Sequence, residues 1–206
     1  MPLVTIKKPR EDVVENLFIG LLHYPVLNKR GEVVATAVTN LDIHDIARLA
    51  RTYGVSRFFI INPLETQKQL TNQLIEHWVS GSGAKYNAAR REALSTVRWA
   101  NDLDDACAMI KEITGSAPVL VGTWAKHAGE YVSCDELREK ISDGASPYFI
   151  IFGTGWGMAD EVKSRCAHIL EPIRGIDDYN HLSVRTAAAI ILDRVLGRSE
   201  KGRSYR

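Results

Sequence analysis

One stretch decides the fold of this chain: Tyr148-Phe-Ile-Ile-Phe-Gly153-Thr-Gly155-Trp-Gly157. Its uncharged β-branched and aromatic residues predict a strand that is buried on both faces. Three glycines follow at alternate positions, where the backbone can turn tightly and approach a ligand with no Cβ in the way. The sequence therefore predicts a buried strand that ends in a ligand-binding loop.

Two further segments place loops at the same end of the predicted sheet. A short strand over residues 168–171 ends at Pro172, which fixes φ and stops the strand. Asn180-His-Leu-Ser183 then opens a helix rich in alanine. Two loops and one helix start are therefore expected at the same end of neighbouring strands, which outlines a ligand pocket.

Strands alternate with helices along the rest of the chain. Apolar runs predict strands at residues 16–23, 57–61, 96–100 and 118–124, while residues 33–38 either extend the sheet or lead into a helix. Periodic patterns predict helices at residues 41–53, after Pro63, at 102–115, at 133–141, near Met158 and at 184–196. The buried stripe after Pro63 is Leu70, Leu74, Ile75 and Trp78, and that of the 102–115 helix is Leu103, Ala106, Ile110 and Ile113. This order predicts an α/β fold with a mostly parallel sheet and helices on both faces.

Length and composition limit the classes of protein to consider. With 206 residues, 45% of them hydrophobic, the chain is expected to form a single domain over 1–206, with a polar arm at 1–15 and a basic tail at 198–206. A formal net charge of +1 means that any RNA-binding surface is local. Three scattered cysteines argue against structural zinc or a disulfide framework and favour a reducing cytoplasm. We expect no metal and no membrane span.

The 41–53 helix and a basic segment after it carry polar side chains that allow two interpretations. Ile43, Ile46, Ala47 and Ala50 share one helix face, and Asp42, Asp45, Arg48 and Thr52 share the other. The polar face is either a functional surface or a solvated one with an Asp45–Arg48 pair. Likewise, the basic and aromatic residues between Lys85 and Arg98 form either an RNA contact or a solvated loop.

A dinucleotide site is one alternative for the glycine loop. The three glycines follow a strand, precede a helix and stand before Glu171, as a Rossmann fingerprint requires. However, the spacing is G-x-G-x-G, the motif lies late in the chain, and Pro172 follows Glu171 directly. These three facts count against a dinucleotide.

Three motifs in order support the other interpretation: Asp42-Ile-His-Asp-Ile-Ala-Arg48, Ile151-Phe-Gly-Thr-Gly-Trp-Gly157, and Leu170-Glu-Pro-Ile followed by His181-Leu-Ser-Val-Arg-Thr-Ala-Ala-Ala189. Together they resemble the SPOUT superfamily of S-adenosylmethionine (SAM)-dependent RNA methyltransferases over about residues 16–197. The motifs FGTGWG (152–157) and YNHLSVR (179–185) are similar to those of a small bacterial group of predicted RNA methyltransferases.

The resemblance implies a fold, a cofactor and partners. The C-terminal segment would form a trefoil knot that binds SAM, and the protein would be a homodimer with active sites at the subunit interface, acting on tRNA or rRNA. The partner subunit would also cover the last helix, which is apolar nearly all round. The cofactor would contact Phe152, Gly153, Thr154, Gly155, Gly157, Ile173, Leu182 and Ser183.

Catalytic roles are less specific, because the motifs depart from the SpoU-like branch. Where this chain has Asp42 and His44, that branch has asparagine and glycine, and where this chain has Ser183 and Arg185, it has asparagine and serine. Ribose 2′-O specificity therefore does not carry over. Arg48 matches the branch's functional arginine and would hold a phosphate or the target nucleotide. Transfer to a ring N–H or ribose hydroxyl also needs a general base. The candidates for the base are Asp42, Asp45, Asp177, Asp178 and His181, each of which is otherwise a cap or a solvated side chain, and Asn180 either caps the last helix and contacts the cofactor or contacts the target nucleotide.

A different class of function also fits the sequence. A knotted SAM-binding protein, or a methyltransferase with a non-RNA substrate, is favoured by the near-neutral charge. The basic cluster between Lys85 and Arg98 and the tail favour RNA. Salt dependence separates the two, because RNA binding weakens steeply as salt rises.

Overall fold

The structure is a computed structural model that describes residues 14–125, 129–177 and 179–197. The strands are β1 (Val14–Leu22), β2 (Val26–Leu27), β3 (Val33–Val34), β4 (Val55–Ile61), β5 (Val97–Ala100), β6 (Val119–Thr123), β7 (Tyr148–Gly153) and β8 (His168–Leu170). The helices are α1 (Asn40–Thr52), α2 (Glu65–Val79), α3 (Ser82–Tyr86), α4 (Ala88–Leu94), α5 (Leu103–Thr114), α6 (Cys134–Ser142), α7 (Asp160–Arg165) and α8 (Val184–Leu196).

Six strands form one parallel sheet in the order β5-β4-β1-β7-β6-β8. β1 lies at the centre, with Leu22 opposite Ile61 on one side and Gly153 on the other. The chain leaves β1 toward β4 and leaves β7 toward β8, so the crevice between β1 and β7 is a topological switch point. Ligands of open α/β sheets bind outside the carboxyl ends of the strands at such a point.

The sheet is covered on both faces, as the alternation of β1 requires. Leu17, Ile19 and Leu21 belong to a core that includes residues of α1, α6 and α8, whereas Phe18 and Leu22 belong to a second core that includes residues of α5 and α7. Successive side chains of a strand point to opposite faces, so a fully apolar strand needs two layers of helices. The predicted α/β class with helices on both faces is therefore confirmed.

The best-predicted elements have local end signals. α8 has the predicted bounds, Ser133 and Glu136 form the predicted capping box at α6, and Asp102 caps α5. Gly54 and Gly115 have φ values of +71° and +81° at the ends of α1 and α5, the conformation that favours glycine at such positions.

Several expectations were wrong where tertiary packing decides. Leu74, Ile75 and Trp78 of α2 pack against the core as predicted, but Leu70 is 62% exposed, and Ile113 of α5 is half exposed. The basic segment after Gly81 is not a loop but holds the helices α3 and α4. Val33 pairs with Leu27 in a separate two-stranded hairpin and does not extend the main sheet.

The predicted arm and the predicted tail lie mostly outside the described residues. The predicted arm at 1–15 overlaps β1, which begins at Val14, and the rest of the arm, like the tail at 198–206, lies outside the described residues. The knot stays a prediction. No helix in the described ranges is both long and apolar enough to cross a membrane. The same ranges contain no group of three or more histidine, cysteine or acidic side chains placed to hold a metal ion.

Candidate active site

The glycine loop after β7 lies at the carboxyl edge of the sheet and is fixed to the β2–β3 hairpin. Trp156 N donates to Leu27 O at 2.9 Å, and Leu27 N donates to Gly157 O at 2.8 Å. Gly155 has φ +61°, and a Cβ there would lie 2.9 Å from Leu27 O. Gly155 is therefore required by its own backbone conformation, as the predicted tight turn demands, and by close packing against the hairpin.

The glycine loop is open at Gly157. Gly157 has φ +111°, and a Cβ there would meet nothing nearer than Trp124 Cδ1 at 4.0 Å. The side chain of Trp156 is 61% exposed, and Leu182 is also exposed. Exposed backbone groups beside apolar side chains suit an adenine ring, whose edge takes hydrogen bonds and whose face takes apolar contact. The residues present fit SAM.

Asn180 joins the loops that follow β6 and β8. Its side-chain amide donates to Ala125 O and to Ile173 O, both at 2.8 Å. The glycine loop and the loop after β8 lie at the same edge of the sheet, as predicted, and the loop after β6, which the sequence did not single out, lies between them. The expectation that Asn180 caps the last helix was wrong, because Ser183 caps α8 by accepting from Thr186 N at 3.3 Å.

Glu171 has a structural partner that argues further against a dinucleotide site. Its Oε1 accepts from Cys134 N, at the start of α6, at 2.9 Å. In a Rossmann site the equivalent carboxylate binds the ribose of the ligand. Here the carboxylate satisfies the free N–H of a helix terminus instead.

A chain of hydrogen bonds supports the crevice between β1 and β7. Thr154 Oγ1 donates to Leu22 O at 3.0 Å and lies 2.6 Å from Thr36 Oγ1, which lies 2.9 Å from His23 Nδ1. Because Thr154 donates to Leu22, Thr36 donates to Thr154 and His23 donates through Nδ1. The Nε2 atom of His23 is then an acceptor, and it is buried without a hydrogen-bond partner among the described residues.

Burial determines the ionisation state of His23. The side chain is 1% exposed, and burial lowers its pKa from 6.5 to about 4, with the carboxylate of Asp42 opposing this shift. The imidazole is therefore neutral near pH 7. The sequence analysis gave no role to His23 or Thr36, because residues between a strand and a hairpin carry no periodic signal.

The sequence pattern placed Asp42 on the polar face of α1, but in the structure its side chain is not solvated. It is 7% exposed, and its Oδ1 accepts from Arg185 Nη1 of α8 at 2.6 Å. Its Oδ2 accepts from the hydroxyl of Thr39, the N-cap of α1, at 2.5 Å. Both carboxylate oxygens of Asp42 therefore have partners. The start of α8 covers this part of α1, which a pattern within α1 cannot reveal.

Arg48 is exposed on the second half of α1. Asp45 pairs with Arg185 at 3.4 Å, so the expected Asp45–Arg48 pair is absent from the described part of the chain. Arg48 instead lines a cavity with Arg51 and Arg90. At 1.5 Å per residue, it lies roughly 9 Å along the helix from Asp42. Arg48 thus lies beside α4, whereas Asp42, at the start of α1, meets α8.

The remaining acid–base candidates lie near the last loop. Asp177 and His181 are exposed, and Asp177 Oδ1 accepts from Tyr179 N at 2.9 Å. Asp178 lies outside the described residues. Asp45 is half-buried beside Arg185.

The family is shown by comparison with known proteins. Residues 16–197 match the family described as SAM-dependent RNA methyltransferase. The chain belongs to this family. The resemblance inferred from the three motifs is therefore confirmed at the level of the family.

Two relatives and one solved structure define what the family membership covers. A tRNA (guanine-N(1)-)-methyltransferase of Oleidesulfovibrio alaskensis is 44% identical over 191 residues, which is 93% of this chain but 44% of the relative. The chain thus spans less than half the length of that relative. An uncharacterized protein of Aquifex aeolicus is 42% identical over 185 residues, 90% of each chain. The SpoU methyltransferase AviRb from Streptomyces viridochromogenes has a TM-score of 0.55 at 14% identity, covering 88% of this chain and 59% of that one. This likeness supports the SPOUT fold.

Proposed function

We propose that this family member transfers a methyl group from SAM to a nucleotide of tRNA. The observation that carries the proposal is the convergence of the loops after β6, β7 and β8 at one edge of the sheet, joined by Asn180. The relative named as a tRNA (guanine-N(1)-)-methyltransferase makes N1 of guanine the first acceptor to test. Free cysteines and the RNA substrate together favour a cytoplasmic location.

The cofactor site is assigned to the glycine loop and its neighbours. Backbone groups between Phe152 and Gly157 hold the adenine edge, while Ile173 and Leu182 provide apolar contact. The Thr154 hydroxyl is engaged with Leu22 and Thr36, so it supports the loop and leaves ligand contact to its backbone. Ser183 lies beside this site as the N-cap of α8, with its hydroxyl already bonded to Thr186. When bound, SAM supplies an electrophilic methyl group on a sulfonium, so catalysis rests largely on positioning the acceptor.

The catalytic residues divide into positioning groups and base candidates. Because both oxygens of Asp42 have partners, we assign it the task of holding Arg185 and the start of α1. Asn180 positions the loops. A guanine N1–H must lose its proton, and Asp45, Asp177, Asp178 and His181 are the candidates for the base. The single-domain organisation, the knot and a homodimer with shared active sites are parts of the same proposal.

The test is incubation with methyl-labelled SAM and unmodified tRNA, followed by nucleoside analysis. We expect one labelled methylnucleoside, with 1-methylguanosine as the first standard for comparison. Labelled SAM that binds without transfer to tRNA or to total cellular RNA would overturn the proposal. That result would favour a SAM-binding protein or a methyltransferase with another substrate.

Arg48 gives a sharper test at the level of one side chain. Arg48→Ala is expected to change stability by less than about 0.5 kcal/mol, because the side chain is exposed. If it holds an RNA phosphate, methyl transfer falls roughly ten- to hundredfold while SAM affinity is unchanged. The comparison is between calorimetric SAM affinity and methylation rate in the same variant. Unchanged rates would return Arg48 to a solvated surface residue.

A further inference from the structure

A basic cleft lies between α1 and α4, away from the glycine loop. Its volume is about 460 Å³, which is within the range of small-ligand sites. Arg48 and Arg51 line it from α1, and Arg90 lines it from α4. Thr52, Asn87 and Glu92 also line it with polar groups. We call this the α1–α4 cleft.

The cleft concentrates positive charge in a chain that has a net charge of only +1. Among the described residues that line the cleft, there are three guanidinium groups and one carboxylate, that of Glu92, so three positive charges less one negative leave a surplus of +2. Glu92 is paired across the cleft with Arg51 at 2.8 Å. A concave surface with a surplus of guanidinium groups favours an anion with several oxygens, because each group presents several N–H donors.

Arg90 is held in place before any ligand arrives. Its guanidinium carbon lies 4.6 Å from the centroid of the Trp78 ring, and its backbone N donates to Asn87 Oδ1 at 2.9 Å. Stacking on a ring uses the face of the guanidinium and leaves its N–H edge for other partners. His44, which packs edge-on against Trp78, has a pKa lowered by burial and then by Arg90, so it adds no charge there near pH 7.

We propose that the α1–α4 cleft binds a phosphodiester segment of the RNA substrate, with Arg48, Arg51 and Arg90 as phosphate ligands. Tyr86 is 88% exposed and directly precedes Asn87, so it can stack on a base beside the bound phosphate. This inference rests on the proposed function and adds a site for the substrate outside the cofactor loops. Arg51 lies roughly 13 Å along α1 from Asp42, so the cleft binds a nucleotide that flanks the one being methylated.

The test measures RNA affinity and its salt dependence with a fluorescein-labelled, unmodified tRNA transcript. Arg90→Gln is the main variant, and Arg91→Gln is its matched control, since Arg91 is exposed on the same helix but does not line the cleft. Because Arg90→Gln also removes the contact with Trp78, Arg51→Gln is measured in parallel. SAM affinity by calorimetry reports whether each variant is folded and able to bind the cofactor.

The cleft predicts a distinct pattern across these variants. Arg90→Gln and Arg51→Gln are each expected to weaken RNA binding roughly tenfold. The slope of log K against log salt becomes less negative by about 0.7 to 0.9 for each phosphate that is no longer neutralised. SAM affinity stays at the wild-type value, and Arg91→Gln binds RNA nearly as wild type does.

The outcomes separate this inference from the proposed function. Wild-type RNA affinity and salt slope in both cleft variants, in a protein that methylates tRNA, would overturn the cleft and leave the function intact. A wild-type protein that binds tRNA through the cleft but transfers no methyl group would support the cleft and overturn the function. If Arg91→Gln weakened RNA binding as much as the cleft variants do, the cleft proposal would also be overturned, because the loss of affinity would then reflect only the change in net charge.

Discussion

At the scale of single residues, the site depends on positions where the backbone leaves no choice. Gly155 combines a φ of +61° with a Cβ position 2.9 Å from Leu27 O. A side chain there must both adopt an unfavourable conformation and displace the hairpin. We expect Gly155→Val to abolish SAM binding measured by calorimetry and to lower the free energy of unfolding by about 1–3 kcal/mol.

Gly144 provides the matched control for this change. It has a similar φ of +68°, yet nothing lies within 4 Å of its Cβ position. It lies in the turn between α6 and β7, at the amino end of that strand. Gly144→Val should therefore lose stability through backbone strain alone and keep wild-type SAM affinity. Wild-type SAM binding in Gly155→Val would remove the glycine loop from the cofactor site.

His23 makes stability depend on pH in a defined direction. Burial lowers its pKa from 6.5 to about 4, so below pH 6.5 the unfolded chain binds a proton that the folded chain does not. The free energy of unfolding is therefore unaffected by His23 protonation above pH 6.5 and decreases as the pH falls toward about 4. The loss amounts to about 2 kcal/mol at pH 5 and about 3 kcal/mol once both states are protonated.

His23→Asn separates this effect from the other titrating groups. The amide can occupy the place of Nδ1 beside Thr36 Oγ1 but does not titrate. Urea unfolding at pH 7.5, 6 and 5 should give a smaller loss of stability in the variant than in the wild type. His44 and His168 also have lowered pKa values through burial, but they are present in both proteins and cancel in the difference. Parallel curves for the two proteins would mean that His23 takes up its proton in the folded state as readily as in the unfolded chain.

At the scale of elements, α1 and α8 are fastened to each other at both ends. Arg185 contacts Asp42 at their starts, and Tyr53 Oη donates to Asp193 Oδ1 at 2.9 Å near their ends. Arg185→Met would leave the Asp42 carboxylate largely buried with one remaining partner, Thr39. Removal of one member of a buried pair costs several kcal/mol, and solvent at the partly exposed Arg185 reduces this to about 1–3 kcal/mol.

Arg194→Met on the same helix is the control, because Arg194 is exposed and its side chain makes no ion pair with a carboxylate in the described ranges. It should change the free energy of unfolding by less than about 0.5 kcal/mol in urea titrations. Adding Asp42→Asn to Arg185→Met should recover part of the loss, since the uncompensated charge is then gone. Equal stability of the Arg185 and Arg194 variants would show that the pair does not hold the helices together.

The elements also show what the sequence could and could not predict. Ser133 with Glu136 and the alanine-rich run after Ser183 are local signals, so α6 and α8 were predicted closely. α3 and α4 are short, basic and without an apolar period, so they were missed. Arg185, which pairs with Asp42, lies 143 residues away, and Ala125, which accepts from Asn180, lies 55 residues away, so no local pattern contains that information.

At the scale of the whole molecule, there are two candidate binding surfaces. One is the carboxyl edge of the sheet with the glycine loop, and the other is the α1–α4 cleft. The apolar surface of α8 no longer argues for a dimer by itself, because α1 and α6 pack against that helix within one chain. The carboxyl edge gives a better argument. Ile176, Tyr179 and Trp156 are large apolar residues that are mostly exposed there. Large exposed apolar side chains beside a ligand site are typical of an interaction surface.

We therefore expect a homodimer in which the partner subunit covers Ile176. Ile176 is fully exposed in the single chain, so Ile176→Asp should leave the stability of the protomer within about 0.5 kcal/mol. In a dimer the same change buries a carboxylate without a partner and shifts the equilibrium toward monomer. Sedimentation velocity at micromolar concentration should show a wild-type dimer and a largely monomeric variant.

Ile113→Asp is the control for this change. Ile113 is also exposed, but it lies on α5, which packs on a face of the sheet, whereas Ile176 lies at the carboxyl edge. It should remain dimeric. A wild-type monomer at micromolar concentration would contradict both the dimer and the shared active site. If the active site is shared between subunits, methyl transfer by Ile176→Asp should recover as protein concentration rises, because mass action restores the dimer.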